Sequence, residues 1–203
     1  MMIIYLIRHG RTLANEKKLY CGCTDLPLSR EGASDILKLK QQNIYPTDID
    51  LFFTSGMHRA DETLHLLYGH VDKRVLPELA EYNFGDFEMK CYEDLKNQKD
   101  YQAWIEDDTG GIACPGGESR QEFAKRVLTG FGKLQDSSEQ RIPPSGENSR
   151  EKISILTVCH GGVIVSIMDH LFPNTRNFYE WQPEPGRGHS LKYTTDGILT
   201  EPI

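Results

Sequence analysis

The chain has 203 residues, a formal net charge of -7 and 38% hydrophobic residues, enough length to bury one good core and a composition unlike a disordered chain. The acidic balance argues against a general nucleic-acid surface, which needs a basic face, and no stretch approaches the roughly 20 apolar residues of a membrane helix. No basic region precedes a long apolar segment and cleavage site at the N-terminus, so the expected location is cytoplasmic.

In chain order, Met2 to Ile7 reads as a buried strand, because a short continuous apolar run ended by turn chemistry suits a strand covered on both faces. Arg8 and His9 sit where that strand ends, and Gly10 lets the backbone turn sharply and come close to a ligand. In an open α/β sheet ligands bind at the carboxyl ends of strands, so these residues face an expected crevice. From Met1 to Arg30 the cations Arg8, Arg11, Lys17, Lys18 and Arg30 outnumber Glu16 and Asp25. That excess reads equally as a solvated face or as an anion-attracting mouth. Ser29 is placed to cap a helix from Arg30 to about Gln42, with Ala33, Ile36, Leu37 and Leu39 as its apolar stripe.

A second strand is predicted from Asp50 to Thr54, then a helix from Ser55-Gly56-Met57 to about Tyr68 with Ala60, Thr63, Leu64 and Leu67 at helical spacing. Arg59 falls in its first turn, where the helix dipole does not favour a cation, which points to another partner. A short strand around Arg74 to Leu76 follows. From Lys90 to about Asp108 the pattern is helical and aromatic, with Tyr92, Leu95, Tyr101, Trp104 and Ile105. The glycine-rich stretch from Asp107 to Gly117 lacks the lysine of a P-loop and reads as the hinge of a small helical cap. The next helix extends to roughly Leu134, burying Phe123, Val127, Leu128 and Phe131. Asp136 to Lys152, with Pro143-Pro144 and Gly146, reads as a mobile surface loop.

Ile153 to Cys159 is again strand-like and is followed by His160-Gly161-Gly162 and a helix from about Val163 to Leu171, with Asp169 and His170 at its far end read as structural. His189 to Tyr193 and Gly197 to Thr200 form an expected hairpin. Either histidine alone is most simply a hydrogen-bonded core or turn residue. If the two strands are parallel neighbours, however, His9 and His160 stand side by side. The five cysteines, Cys21, Cys23, Cys91, Cys114 and Cys159, are odd in number and scattered. No second pair or nearby histidine completes a metal set around Cys21-Gly-Cys23, so reduced structural thiols are expected.

The stretch from Arg8 to Leu28, RHGRTLANEKKLYCGCTDLPL, resembles the pattern RHGxT..N....Y.G.TD.PL of the histidine phosphatase superfamily, the phosphoglycerate mutase and acid-phosphatase-like group. Thr12, Asn15, Gly22, Thr24, Asp25, Pro27 and Leu28 occupy the matching positions. Thr54 to Thr63 is similar to the second motif, TSxxxRAxxT, and nominates Arg59; Pro77 to Glu88 resembles the third, L.E..FG.WEG, and nominates Glu81. Phe87 stands where Trp is usual and Met89 where Gly is common, the second departure affecting the backbone that leaves the motif. Gly116-Gly117-Glu118-Ser119 resembles a PGGES motif. Glu78 and Glu88 are nearby alternatives to Glu81, ranked below it by motif register.

The resemblance implies an α/β fold, a three-layer αβα sandwich around a mostly parallel sheet, as one domain over 1–203 with a small cap insertion at about 88–117. It implies catalysis by His9, Glu81 and His160, phosphate binding by Arg8, Arg59, Asn15, Thr12 and Gly161, and substrate contacts from Gly22 and Ser119, with no metal or cofactor. The chemistry is coherent. A phosphate monoester carries about two negative charges, which arginine forks can bind, while surrounding cations keep the His9 imidazole neutral and nucleophilic. By resemblance His9 attacks phosphorus and Glu81 protonates the leaving alkoxide. The string Tyr20 to Leu28 is similar to that of bacterial alpha-ribazole phosphatases of the cobalamin pathway, which implies a small-molecule phosphomonoester as partner, alpha-ribazole 5'-phosphate first. No nucleic-acid or membrane partner is expected, and the chain is taken as a monomer or homodimer. A phosphoglycerate mutase and a catalytically silent binding protein are the alternatives, the mutase disfavoured by the short chain and small cap.

Overall fold

The computed structural model describes residues 1–137 and 152–203. The polar stretch expected as a surface loop therefore lies, apart from its ends, outside the described residues. Strands β1 (Met2–Arg8), β2 (Leu51–Thr54), β3 (Lys73–Val75), β4 (Ile153–Cys159), β5 (Gly188–Thr194) and β6 (Gly197–Pro202) form one sheet in the order β3-β2-β4-β1-β5-β6. The first four in that order run parallel, β5 runs antiparallel to β1, and β6 closes the edge as the second arm of a hairpin. β4, at the centre, is buried from Ser154 to Cys159, as its uninterrupted apolar character requires.

Alternation along the strands divides the core between two faces. Ile4, Leu6, Phe53 and Ile155 pack on one side with Phe123, Val127 and Phe131 of α6 (Arg120–Asp136) and Val163, Ile164 and Ile167 of α7 (Gly161–Leu171). Ile7, Leu156 and Val158 pack on the other with Ile36 of α2 (Arg30–Gln41) and Ala60, Leu64 and Leu67 of α3 (His58–Tyr68). The result is a three-layer αβα arrangement, with each fully buried Ile, Leu or Phe contributing roughly 1.5–3 kcal/mol. Ser29 caps α2, its hydroxyl accepting from Gly32 N at 2.9 Å. Leu37, expected in the apolar stripe of α2, is exposed, and Gly32 takes a place on the buried face.

The chain leaves β1 and β2 toward α2 and α3 on one face, but leaves β4 toward α7 on the other. Reversal of direction between neighbouring parallel strands opens a crevice at their carboxyl ends. The 88–117 segment, expected as a cap, carries α4 (Tyr92–Leu95) and α5 (Lys99–Glu106). Its Leu95, Tyr101 and Trp104 belong to the same apolar cluster as the sheet face, joined through Phe87. Phe87 is buried edge-on to Tyr101, so the aromatic that stands in place of Trp still fills the space. Met89 keeps the left-handed backbone, φ 59°, that a glycine there would adopt freely. The departure thus stores strain, on the order of 1 kcal/mol. Among the described residues no helix is long and apolar enough to cross a membrane.

Candidate active site

Every strand end that borders the crevice delivers a functional side chain. β1 and β4 pair with Arg8 opposite Cys159, so the next residues, His9 and His160, emerge as neighbours with ring centroids 5.0 Å apart and planes inclined at 61°. His9 Nδ1 donates to the Gly10 carbonyl at 2.7 Å, and because a carbonyl only accepts, Nε2 keeps its lone pair. His160 Nε2 lies 2.8 Å from Ser55 Oγ, just beyond β2. That hydroxyl accepts from Met57 N at 3.4 Å and still has its proton to donate, and a bond from it to His160 Nε2 goes with the imidazole N–H on Nδ1.

Nδ1 of His160 and Nε of Arg8 are both buried without a protein partner among the described residues. Buried donors are nearly always satisfied, so two such donors at one crevice mark a place shaped for an acceptor-rich guest. Arg8 anchors itself from behind by donating Nη1 to the Pro183 carbonyl at 2.8 Å. Arg59, 1% exposed in the first turn of α3, donates Nη1 to Thr24 O at 3.0 Å and Nη2 to Gly22 O at 2.7 Å. A guanidinium has five N–H groups, so three remain for another acceptor. The partners that the structure shows for this cation at a helix start are two backbone carbonyls.

Burial, then the Arg59 charge and more weakly Arg8, drive the His9 pKa down to about 3 against the pull of the Gly10 carbonyl. Burial, followed by His9, Arg59 and Arg8, also holds His160 well below the ordinary histidine value. Both imidazoles are neutral near pH 7, one presenting a lone pair and the other an N–H. Glu81 sits at the rim, its carboxylate accepting from Tyr82 N at 2.9 Å and Gly162 N at 3.1 Å. A Cβ on Gly162 would lie 2.5 Å from Glu81 Oε1, so only glycine admits the carboxylate there. Gly161 starts α7, and its amide belongs to the helix-start N–H groups that favour anions.

The structure gives four predicted residues other immediate tasks. Thr12 is 1% exposed and caps α1 (Leu13–Glu16), its hydroxyl donating to Asn15 Oδ1 at 3.1 Å, so it holds the Asn15 side chain. Asn15 Oδ1 also accepts from Thr12 N at 2.9 Å, leaving the side-chain amide as its donor end. Gly22, expected to touch substrate, instead lies behind Arg59 as its hydrogen-bond acceptor. Ser119 is buried in a capping box at the start of α6, where its hydroxyl accepts from Glu122 N at 3.2 Å. The Gly10 amide donates to Thr63 Oγ1 at 3.0 Å.

The sequence model described as Histidine phosphatase superfamily (branch 1) matches residues 4–200. The chain belongs to the histidine phosphatase superfamily. It is a histidine phosphatase of the phosphoglycerate mutase-like fold. It is 30% identical over 174 residues to the adenosylcobalamin/alpha-ribazole phosphatase of Escherichia coli (strain K12), covering 84% of this chain and 79% of that protein. The crystal structure of the alpha-ribazole phosphatase from Shigella flexneri matches with a TM-score of 0.81 at 26% identity, across 98% of this chain and 95% of that one. A phosphoglycerate mutase from Thermus thermophilus matches with a TM-score of 0.70 at 27% identity, across 98% and 96%.

From the rim of the phosphatase site a cleft of about 630 Å³ runs outward from Glu81 and Gly162. Tyr20, Tyr82, Phe84, Trp104, Phe123 and Tyr179 line it. Asp169, read as structural from sequence, lines the same cleft one helical face along α7 from Gly162 and Ser166. Sequence reasoning also missed Ser55, Thr63 and Arg126. Arg126 donates to the Glu78, Ala80 and Glu81 carbonyls and pairs with Glu118 at 2.6 Å, which fixes the backbone that carries Glu81. Ser55 and Thr63 stand inside the TSxxxRAxxT string, the one signal that could have found them.

Proposed function

We propose that this histidine phosphatase hydrolyses a phosphomonoester whose alkyl leaving alcohol carries an aromatic ring, alpha-ribazole 5'-phosphate being the best candidate, through a phosphohistidine on His9. Arg8 and Arg59 hold the phosphoryl oxygens, with the His160 Nδ1–H, the Gly161 amide and the Asn15 side-chain amide as further donors. All of these groups act on charge spread over the equatorial oxygens, which is where catalysis of phosphoryl transfer chiefly lies. His9 Nε2 forms the new bond to phosphorus as the bond to the ester oxygen breaks, and Glu81 supplies the proton that the departing alkoxide takes up. Glu81 then removes a proton from water, which attacks phosphorus, breaks the P–N bond and returns neutral His9 with inorganic phosphate.

The aromatic lining of the cleft beyond Glu81 carries the substrate assignment. A flat heteroaromatic ring on a ribose buries well against Phe84, Trp104 and Tyr82, whereas a three-carbon phosphorylated acid would leave that wall wet. The likeness to alpha-ribazole phosphatases over most of the chain supports the same reading.

The test is a comparison of kcat/KM for alpha-ribazole 5'-phosphate, ribose 5-phosphate and 3-phosphoglycerate, the last with and without a bisphosphate primer. The ring is expected to raise kcat/KM over ribose 5-phosphate by about 10- to 100-fold, the range one well-filled apolar pocket supplies. Acid-labile label should appear on wild type and be absent from His9→Ala. Primer-dependent mutase turnover exceeding hydrolysis, or label retained in His9→Ala, overturns the assignment.

A further inference from the structure

Glu88 lies outside the catalytic set, yet its carboxylate collects more donors than any group within it. Oε1 accepts from Gly22 N at 3.0 Å, Cys23 N at 3.0 Å and Phe84 N at 3.1 Å. Oε2 accepts from Gly22 N at 3.1 Å, Thr24 N at 3.2 Å and Thr24 Oγ1 at 2.6 Å. Three successive backbone amides converging on one anion form a nest, an arrangement that a carboxylate stabilises and a neutral side chain does not. The carbonyls of the same loop project the other way, and Gly22 O and Thr24 O are the two acceptors of Arg59.

The loop thus lies between an anion and a cation, with the N–H groups of Gly22, Cys23 and Thr24 on Glu88 and the C=O groups of Gly22 and Thr24 on Arg59, so the Gly22–Cys23 peptide is bonded at both ends. Its ends are fixed independently. A Cβ on Gly22 would sit 1.5 Å from Tyr82 O, so the loop is pressed onto the segment that carries Glu81. Asp25 accepts from His58 N at 2.8 Å and ties the far end to the start of α3. Both hydrogen bonds that orient the buried Arg59 guanidinium run to this loop, so the plane of the group is set by those two carbonyls.

We infer that Glu88 is a positioning residue for the phosphate clamp, holding Arg59 in its anion-binding orientation through the peptide groups of Gly22, Cys23 and Thr24. This rests on the reading of Arg59 as a phosphate ligand, and the two can fail separately.

The experiment measures inorganic phosphate affinity by calorimetry and kcat/KM for Arg59→Ala, Glu88→Ala, Glu88→Gln and the double variant Arg59→Ala/Glu88→Ala. Glu88→Ala is expected to weaken phosphate binding by about 10-fold, the scale of one charge-assisted hydrogen bond lost. Glu88→Gln, which keeps one acceptor oxygen, should recover part of that loss. In the Arg59→Ala background the Glu88→Ala change should add less than about 2-fold, because the group it positions is already gone. A full additive loss in the double variant, or normal phosphate affinity in folded Glu88→Ala, overturns the inference. Normal affinity in Arg59→Ala overturns instead the reading of Arg59. If Glu88→Ala does not fold, Thr24→Val removes the 2.6 Å hydroxyl contact alone. Thr24→Val should then weaken phosphate binding by at least about 2-fold, and an unchanged affinity counts against the inference.

Discussion

At the phosphate end the site is made of polar groups, two buried imidazoles, the buried Arg59 and the half-buried Arg8, brought together by the ends of β1, β2 and β4. Along the cleft it is made of aromatic rings contributed by the 82–104 segment, α6 and α8 (Phe178–Trp181). The first region offers directed donors and one lone pair, which suits a tetrahedral anion regardless of what is esterified to it. The second offers area with few fixed donors, which suits a flat apolar body and says little about phosphate. Glu81 stands at the boundary, reaching Gly162 of the phosphate end while sitting one residue from Tyr82 of the cleft. In such a division the chemistry and the choice of substrate should be separable by mutation.

The largest separation is expected at that boundary. If Glu81 delivers the leaving-group proton, Glu81→Gln lowers kcat/KM, which reports transfer to His9 and not the later hydrolysis common to all esters, by about 10²- to 10⁴-fold on an alkyl phosphate. Its effect on p-nitrophenyl phosphate, whose phenolate departs without a proton, should be much smaller. Equal losses on the two esters would show that Glu81 acts on the phosphoryl group and not on the leaving oxygen. The backbone held by Arg126 and the glycine at 162 would then serve some other purpose.

The second expected difference lies in stability, and it belongs to the phosphate end alone. His9 titrates near 6.5 when unfolded and at about 3 when folded, chiefly because it is buried. Between those values the unfolded chain binds a proton that the folded chain refuses, so stability is full above the unfolded pKa and is lost as pH falls. The slope approaches about 1.4 kcal/mol per pH unit, or about 2 kcal/mol between pH 6.5 and 5. His9→Gln removes that contribution. Denaturation in phosphate-free buffer should therefore find the variant less sensitive to acid than wild type over this window, and equal slopes would mean that His9 is not held neutral by its surroundings.

The two regions were also unequally legible in the sequence. Arg8, His9 and His160 were readable because an apolar strand that stops at a charged, glycine-bearing turn marks the carboxyl end where ligands bind, and Arg59 and Glu81 because of their motif register. Gly162 and Arg126 act on the Glu81 segment from 81 and 45 positions away in the chain, and no local pattern encodes such pairings. Thr12 and Ser119 show an ambiguity of another kind: a threonine or serine before a helix is as apt for a cap as for a ligand, and here both hydroxyls accept a capping hydrogen bond. That Asp169 borders the cleft was not legible, because periodicity along α7 tells which residues share a face but not what that face borders. The sheet order was legible only in its central pair, since the antiparallel placement of β5 beside β1 depends on contacts across nearly the whole chain.

The smallest expected effect tests the cleft without touching the chemistry. Tyr179 lines it from α8 and is 83% exposed, so its removal costs the folded state little. One ring face withdrawn from a bound heteroaromatic is worth about 1 kcal/mol, which predicts a loss of about 5-fold in kcat/KM for alpha-ribazole 5'-phosphate in Tyr179→Ala. Ribose 5-phosphate, which has no ring to reach that far, should be turned over at the wild-type rate. An equal loss on both substrates would place Tyr179 in the phosphate end's function, and no loss on either would put the leaving group elsewhere than in the cleft. Because phosphate affinity is measured independently, the second outcome would leave the roles of Arg8, His9 and His160 intact while removing the physical basis for the aromatic substrate.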